Sequence, residues 1–312
     1  MSDLKMSNIP QMNVGRAVER LSSLYCGAVG NRVPFRSLPS VMLWGPPGVG
    51  KSQAVRQIGK EIERNTGKTV RVTDVRLLLF NPIDLRGIPT ANADKTLAIW
   101  LKPQIFQMDP SEDVVNILFL DEINCVSETL APTMLQFLQY KTFGAHRLPE
   151  GFLIVTAGNP PEYNKSVRDF DVVTLDRVKR IDIREDYPAW KEYAYRAGVH
   201  GAIMAYLEIR KEHFYSIRVD LSGKHFVTAR GWEDLSRILT VYEGLSLPVT
   251  QNLISQYLQD EEIAAGFAVY YDLYQKYHEI YHVEEIMEGT ASVDADVMRQ
   301  APFDEKLSLI GL

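Results

Sequence analysis

Residues 45–52 read Gly45-Pro46-Pro47-Gly48-Val49-Gly50-Lys51-Ser52, and this stretch decides the fold of the 312-residue chain. It fits G-x-x-x-x-G-K-[ST], a phosphate-binding loop. Gly48 and Gly50 let backbone N–H groups curl around phosphate oxygens, because glycine has no Cβ in the way. The helix predicted from about Lys51 adds the positive end of its dipole. The stretch therefore predicts a site for nucleotide phosphates.

The flanks of this loop have the required pattern. The apolar run Val41–Trp44 comes directly before it, and an amphipathic helix is predicted from Ser52 to Glu63. We expect Lys51 to neutralise the β and γ phosphates and Ser52 to ligate Mg²⁺. The predicted nucleotide contacts run through the loop and into the helix: Gly45, Pro46, Pro47, Gly48, Val49, Gly50, Lys51, Ser52 and Gln53.

A second stretch, residues 116–122, is an apolar strand that ends in two carboxylates, Asp121 and Glu122. Ligands bind at the carboxyl ends of parallel strands, so Asp121 is expected beside the Mg²⁺ held by Ser52. Glu122 is then placed to polarise an attacking water. The alternative is that the two carboxylates cap the helix predicted over Glu128–Gln139.

Short apolar strands alternate with helices up to about Asp186, which predicts an α/β fold with a parallel sheet covered on both faces. From Pro188 onward the spacing is helical, which predicts a second, all-helical domain. The five predicted strands are Val41–Trp44, Thr69–Val75, Val114–Leu120, Phe152–Ala157 and Arg180–Ile183.

Composition excludes several classes of protein. The chain has 34 Lys and Arg against 40 Asp and Glu, a net charge of −6 and 46% hydrophobic residues, so disorder is excluded. Cys26 and Cys125 lie far apart and are interpreted as two free thiols. No secretory signal or membrane-length apolar run is visible, so we expect a cytoplasmic protein with no membrane span. The acidic total disfavours a broad nucleic-acid surface.

A rival motif lies near the C-terminus, where residues 278–282 read His-Glu-Ile-Tyr-His and fit the zinc-protease pattern H-E-x-x-H. On a helix both histidines would share one face. Lys276 and Glu284, however, place charges where that motif is usually apolar. We therefore favour a solvated helix face over a zinc site.

Taken in order, these motifs resemble the AAA+ ATPases, specifically their MoxR-like and dynein-related group. The resemblance covers Asn13 to Tyr281 and includes the phosphate loop, the acidic strand, Gly158-Asn159-Pro160 and Leu175-Asp176-Arg177. It implies a P-loop α/β module with a parallel five-stranded sheet, followed by a C-terminal all-helical lid domain. The implied boundaries are residues 1–185 for the module with a hairpin inserted near 82–102, 186–288 for the lid and 289–312 for a tail.

The resemblance also implies roles for residues at matching positions. Asn159 corresponds to the sensor that orients water against the γ-phosphate, although a turn-forming Asn before Pro160 is the alternative. Arg177 corresponds to the arginine supplied to a neighbouring subunit's nucleotide, and Arg180 is the competing candidate. Val178 stands where the family often has phenylalanine. Arg230 matches the second sensor at the start of a lid helix, with an ordinary helix-start arginine as the alternative.

Two hairpins are implied as well. One, within Pro82–Trp100, faces the central pore of a ring in related proteins, and a second is expected at Phe143–Gly151. Trp100 and His146 are either contact residues for a substrate or packing residues of these hairpins.

The function implied by the resemblance is hydrolysis of MgATP by a chaperone-like remodelling motor. It would act as a homo-oligomer, most simply a hexameric ring, with a partner carrying a von Willebrand factor A (VWA) domain; ATP is preferred to GTP on the resemblance alone. Two alternatives stay open, a nucleotide-switched scaffold and a nucleic-acid motor. Against the latter, the hairpin region offers few cations: Arg86, Lys95, Lys102 and Lys141.

Overall fold

The fold comes from a computed structural model. It describes residues 10–81, 84–85, 87–103, 106, 108–143, 146–148, 152–163, 175–220 and 223–281. Pro82, Ile83 and Arg86 of the predicted insertion, His282 of the H-E-x-x-H motif and the predicted tail 289–312 lie outside the described residues.

The strands of the described residues are β1 (Gln11–Met12), β2 (Ser40–Trp44), β3 (Thr69–Arg76), β4 (Pro89–Ala91), β5 (Ala98–Trp100), β6 (Val114–Asp121), β7 (Thr142–Phe143), β8 (His146–Arg147), β9 (Phe152–Gly158), β10 (Val178–Ile183), β11 (Ser216–Val219) and β12 (Lys224–Val227). Six of them pair in parallel to form the central sheet, in the order β1-β10-β2-β9-β6-β3.

The parallel α/β sheet predicted from sequence is confirmed, with six strands instead of five. The additional strand is β1, which pairs with β10 through Gln11↔Asp182 and Met12↔Ile183. Two residues are too few to produce a periodic pattern, so the sequence carries no signal for this strand. The strand β1 extends the sheet beyond β10 and leads directly into the first helix.

The α-helices account for much of the remaining structure. They are α1 (Val14–Gly30), α2 (Lys51–Thr66), α3 (Ala131–Tyr140), α4 (Tyr187–Ala197), α5 (Gly201–Ile209), α6 (Ala229–Gly244), α7 (Gln251–Tyr257) and α8 (Glu261–Tyr281). The helix α1 is capped by Asn13, whose side chain accepts a hydrogen bond from the backbone N–H of Arg16 at 2.9 Å. Within the described ranges, each helix falls short of the length and apolar character that crossing a bilayer requires.

The central strands are buried on both faces. Every residue of β2 and β9 is buried, which explains their continuous apolar runs. On one face, side chains of the sheet pack with α3 and the loops around it. The buried members of this cluster include Met42, Trp44, Leu118, Leu120, Ile123, Met134, Phe137, Ile154 and Val178. The carboxyl ends of the strands are therefore held on a rigid layer.

The chain divides into two compact units, Met1–Glu185 and Asp186–Leu312. The second unit contains α4 to α8 around an aromatic core in which Trp232, Phe267 and Tyr206 pack against one another. It was predicted to be all-helical, but β11 and β12 form an antiparallel pair in it. Strands of four residues leave too short a pattern to separate from loops.

Both predicted hairpins have described strands. In the first, β4 pairs with β5 through Pro89↔Trp100, and the turn runs from Asn92 to Leu97. In the second, β7 pairs with β8. Trp100 and His146 are both half-buried.

Lys141 is a buried lysine at the C-terminal end of α3. Its ammonium donates to the carbonyl oxygens of Phe35 and Leu38, both at 2.7 Å, and the residue is 5% exposed. Both bonds go to carbonyl oxygens and neither goes to a carboxylate. Burial therefore lowers the pKa of Lys141 to about 8. The folded state therefore binds this proton less tightly than the unfolded state does.

The free energy of unfolding should consequently rise with pH between about 8 and 10.5, because the unfolded chain still binds the Lys141 proton there and the folded chain has released it. Chemical denaturation at pH 7.5, 8.5 and 9.5 measures this. Over this range the free energy of unfolding of the wild type should rise by about 1 kcal/mol per pH unit more than that of Lys141→Met. Exposed Lys60 gives the control Lys60→Met, which should track the wild type; equal slopes for all three proteins would contradict the prediction.

Candidate active site

The phosphate loop connects the end of β2 to the start of α2. Gly48 and Gly50 have φ angles of +75° and +92°, in the left-handed region that favours glycine. Gly50 directly precedes Lys51, the first residue of α2. The loop thus places consecutive backbone N–H groups next to the N-terminus of α2, an arrangement that binds anions.

Gly45, the first glycine of the loop, is required for a different reason. A Cβ added to Gly45 would lie 2.3 Å from the carbonyl oxygen of Ile183, at the end of β10. The backbone N–H of Gly45 also donates to the carbonyl oxygen of Gly158, at the end of β9, at 3.3 Å. The start of the loop is therefore wedged between two strands, and the sequence pattern alone does not reveal this close approach.

Lys51 is the central cation of the site and is 8% exposed. Its Nζ donates to the carbonyl oxygens of Gly45 at 2.7 Å and Pro46 at 2.8 Å. A third bond goes to Oδ1 of Asn159 at 2.7 Å, across 108 positions of sequence. The structure therefore brings together the predicted phosphate lysine and the predicted sensor asparagine.

Ser52 and Asp121 also meet as their positions predicted. Ser52 Oγ donates to Oδ2 of Asp121 at 3.0 Å, which joins the start of α2 to the end of β6. One hydroxyl and one carboxylate suit Mg²⁺, which completes its octahedron with phosphate oxygens and water. Across the described residues, no group of three or more His, Cys, Asp or Glu side chains is arranged for a metal. The donor set at Ser52 and Asp121 fits a metal shared with a nucleotide.

Glu122 follows in a left-handed conformation with φ of +55°, which is uncommon for a residue other than glycine. Its backbone N–H donates to Oδ1 of Asp121 at 2.9 Å. It directly precedes a 3₁₀ turn, Ile123–Cys125, and does not start α3. The alternative in which Asp121 and Glu122 cap that helix is wrong, because α3 begins only at Ala131.

Acidic charge and burial also change the titration of neighbouring groups. Burial, and then the negative charge of Asp121, raise the pKa of Asp74 on the adjacent strand β3. Burial, followed by the charges of Glu122 and Asp121, raises the pKa of the Cys125 thiol. Arg56 and Arg76 oppose the shift of Asp74, so burial and the Asp121 carboxylate outweigh two nearby cations.

Asn124 belongs to this site although the sequence analysis assigned it no role. It is 1% exposed, and its Nδ2 donates to the backbone carbonyl oxygen of Asn159 at 2.7 Å. The only sequence signal was its place three residues after Asp121, within the same motif. A buried amide at that position can be interpreted only once β6 and β9 are seen side by side.

The two candidate arginines for the neighbouring site have different environments. Arg180 donates twice to Asp182, at 2.5 and 3.1 Å, and its guanidinium lies 5.0 Å from the ring centre of Trp44. Arg177 lies before β10, and its Nε donates to Oε1 of Gln139 at 2.8 Å in an exposed contact. Arg180 is thus a largely buried structural residue, whereas Arg177 lies nearer to solvent.

Arg230 lies in the second unit, as the second residue of α6, and is exposed. Thr228 caps this helix by accepting a hydrogen bond from the backbone N–H of Gly231 at 3.4 Å. Arg230 therefore lies at the start of a helix, as the resemblance implied. The second-sensor role of Arg230 stays a prediction.

Residues 41–175 match a sequence model of the ATPase family associated with various cellular activities (AAA). The matched residues contain the phosphate loop, the acidic strand and Asn159, so the match covers the groups that meet at this site. It spans fewer than half of the 312 residues and leaves the second unit unmatched. No curated protein matches the chain significantly.

Several solved structures are similar to this chain. A candidate ATPase from Cytophaga hutchinsonii is 20% identical over 59% of this chain and 59% of its own length, with a TM-score of 0.38. A RuvB variant from Thermotoga maritima is 15% identical over 97% of this chain and 91% of its own, with a TM-score of 0.46. PCH-2 from C. elegans is 10% identical over 98% and 70%, with a TM-score of 0.40. No functional conclusion follows from these low values.

The wedged position of Gly45 leads to a stability prediction. Gly45→Ala should lower the free energy of unfolding by about 1–3 kcal/mol or more, because the new methyl group meets backbone that cannot move independently. Gly27 is the matched control, since a Cβ there meets nothing within 4 Å on the exposed side of α1. Gly27→Ala should raise the free energy of unfolding by about 0.5–1 kcal/mol. Urea denaturation measures both; similar values for the two variants would contradict the close approach.

Proposed function

We propose that the chain is a Mg²⁺-dependent ATPase of the AAA+ class, of the MoxR-like type, that converts ATP and water to ADP and phosphate. One observation carries this proposal. The Lys51–Asn159 and Ser52–Asp121 hydrogen bonds assemble a phosphate lysine, a metal carboxylate and a sensor amide where β2, β6 and β9 end. The match of residues 41–175 to the AAA family supports it.

In this proposal the chain's own groups position the triphosphate. The loop from Gly45 to Gln53 surrounds the phosphates with backbone N–H groups, and Lys51 neutralises the β and γ oxygens. Ser52 and Asp121 hold Mg²⁺, which when bound neutralises charge on the β and γ phosphates. Glu122 accepts a proton from the attacking water, while the Asn159 amide orients that water against the γ-phosphate.

We further propose that Arg177 acts on the nucleotide of a neighbouring subunit. The bonds of Arg180 to Asp182 and its stacking on Trp44 favour Arg177 for this role, because Arg180 would have to give up these contacts to reach another subunit. Positive charge near the γ-phosphate stabilises the charge that spreads over the transition state. Arg230 is proposed to contact the γ-phosphate from the lid helix.

The assembly proposed here is a homo-oligomer, most simply a hexameric ring in the cytoplasm. Its remodelling activity would be chaperone-like, with the hairpins facing the pore and a VWA-domain protein as partner. An oligomer follows from an arginine acting in trans, since each site then needs a second copy, and the hexameric ring rests on the resemblance. The VWA partner and the pore hairpins rest on the resemblance to MoxR-like proteins.

Glu122→Gln should lower steady-state ATP turnover by about 100-fold or more, because the amide cannot accept the proton of water. Binding of ATP should persist, since the phosphate loop is unchanged. The measurements are phosphate release and the Kd of a fluorescent ATP analogue. Glu112→Gln, an exposed carboxylate just before β6, is the control and should behave as the wild type. Turnover of Glu122→Gln at the wild-type rate would favour a nucleotide-switched scaffold instead.

A mixing experiment tests Arg177. Arg177→Ala and Glu122→Gln should each have low turnover alone, yet mixed in equal amounts they should recover activity. The reason is that an intact Glu122 in one subunit then meets an intact Arg177 from its neighbour. Arg180→Ala mixed with Glu122→Gln is the comparison. The ATP turnover of this mixture should not exceed the turnover expected from the two variants measured separately. Absence of recovery in the Arg177 mixture, with oligomers present by light scattering, would remove Arg177 from the trans role.

A further inference from the structure

We propose that Asn124 is a positioning residue for hydrolysis, acting through Asn159. This inference rests on the proposed ATPase function and extends it to a residue outside the phosphate loop. Asn124 Nδ2 donates to the backbone carbonyl oxygen of Asn159 at 2.7 Å, and Asn159 Oδ1 accepts from Lys51 Nζ at 2.7 Å. The amide of Asn124 thereby fixes the backbone that carries the sensor side chain.

The bond closes a ring of contacts around the site. From Lys51 the chain passes to Ser52, whose hydroxyl donates to Asp121. The backbone of Asp121 and Glu122 then turns into the 3₁₀ segment that carries Asn124. Asn124 bonds to Asn159, which returns to Lys51. Removing Asn124 opens this ring at the point where the acidic strand is tied to the sensor.

Backbone pairing cannot replace this bond. The ladder between β9 and its neighbours ends at Gly158, and the residues that follow Asn159 are Pro160 and Pro161, which have no backbone N–H. The segment that carries the sensor amide therefore leaves the sheet with few main-chain donors of its own. The side chain of Asn124, in the turn that follows β6, holds this segment by its hydrogen bond to Asn159.

Packing keeps the Asn124 amide in place. A Cβ added to Gly158 would lie 2.9 Å from Asn124 Oδ1 and 2.7 Å from Cζ3 of Trp44, so the amide lies directly against the glycine backbone. Asn124 Oδ1 is buried without a hydrogen-bond partner among the described residues. A buried unpaired acceptor costs free energy, which argues that this side chain is present for more than stability.

Removing the Asn124 side chain should therefore affect ATP hydrolysis more than ATP binding. The backbone of the phosphate loop holds the nucleotide, whereas Asn159 acts on the γ-phosphate during hydrolysis. Asn124→Ala should therefore lower kcat by about 10- to 100-fold, because a displacement of about 1 Å at a reacting group has effects of this size. The Kd of a fluorescent ATP analogue should change by less than about threefold.

Asn116 provides a matched control. It lies in β6, the strand that leads into the 3₁₀ turn of Asn124, is 3% exposed, and its Nδ2 also donates to a backbone carbonyl oxygen, that of Asp109, at 2.9 Å. It is located toward the other end of the strand. Asn116→Ala should lower the thermal unfolding midpoint as Asn124→Ala does, while leaving kcat within about threefold of the wild type. Asn124→Leu and Asn116→Leu, which keep a similar side-chain volume, add no charge and remove the donor, repeat the comparison if either alanine variant fails to fold.

A double-substitution cycle tests whether Asn124 acts through Asn159. Asn159→Ala alone should lower kcat, and adding Asn124→Ala should lower it little further, because the side chain being positioned is already gone. Asn116→Ala should combine with Asn159→Ala additively. Equal kcat for Asn124→Ala and Asn116→Ala, or full additivity with Asn159→Ala, would overturn the inference. A wild type that binds ATP without hydrolysing it would instead overturn the proposed function, and the inference with it.

Discussion

The buried ammonium of Lys51 is the constraint on which the rest of the site depends. A charge taken out of water must be compensated by hydrogen-bond partners. Here two carbonyl oxygens of the phosphate loop and the side chain of Asn159 provide them. The two carbonyls are local, whereas Asn159 follows β9, so the full set of partners is present only when β2 and β9 are paired.

The same neighbourhood shows how close packing positions chemistry. Gly45 is pressed against the end of β10, and Gly158 against Trp44 and Asn124. Trp44 in turn lies beneath the guanidinium of Arg180. Small residues at the strand ends let polar side chains from three strands approach one another without intervening Cβ atoms. The result is a rigid surface on which charged groups keep fixed positions.

Much of this arrangement was accessible to sequence reasoning because it rests on local pattern. The phosphate loop and Asp121 each come at the end of an apolar run that predicts a buried parallel strand. Parallel strands end at one edge, so Ser52 and Asp121 were expected to meet, and they do. Asn159 was expected at this edge from the resemblance to AAA+ ATPases, and its side chain contacts Lys51. The helical spacing of the second unit was equally clear, although its short pair β11 and β12 was missed.

The loop, the parallel α/β class and the residue types at the strand ends could therefore be inferred from local pattern, since each depends on neighbours within a few positions. Tertiary structure alone decided which contacts those residues make. In the folded chain β1 pairs with β10, and Arg180 bonds to Asp182. Gly45 lies against the carbonyl oxygen of Ile183, and Asn124 donates to Asn159. Each of these joins residues that are either too few to form a pattern or brought together only by strand pairing.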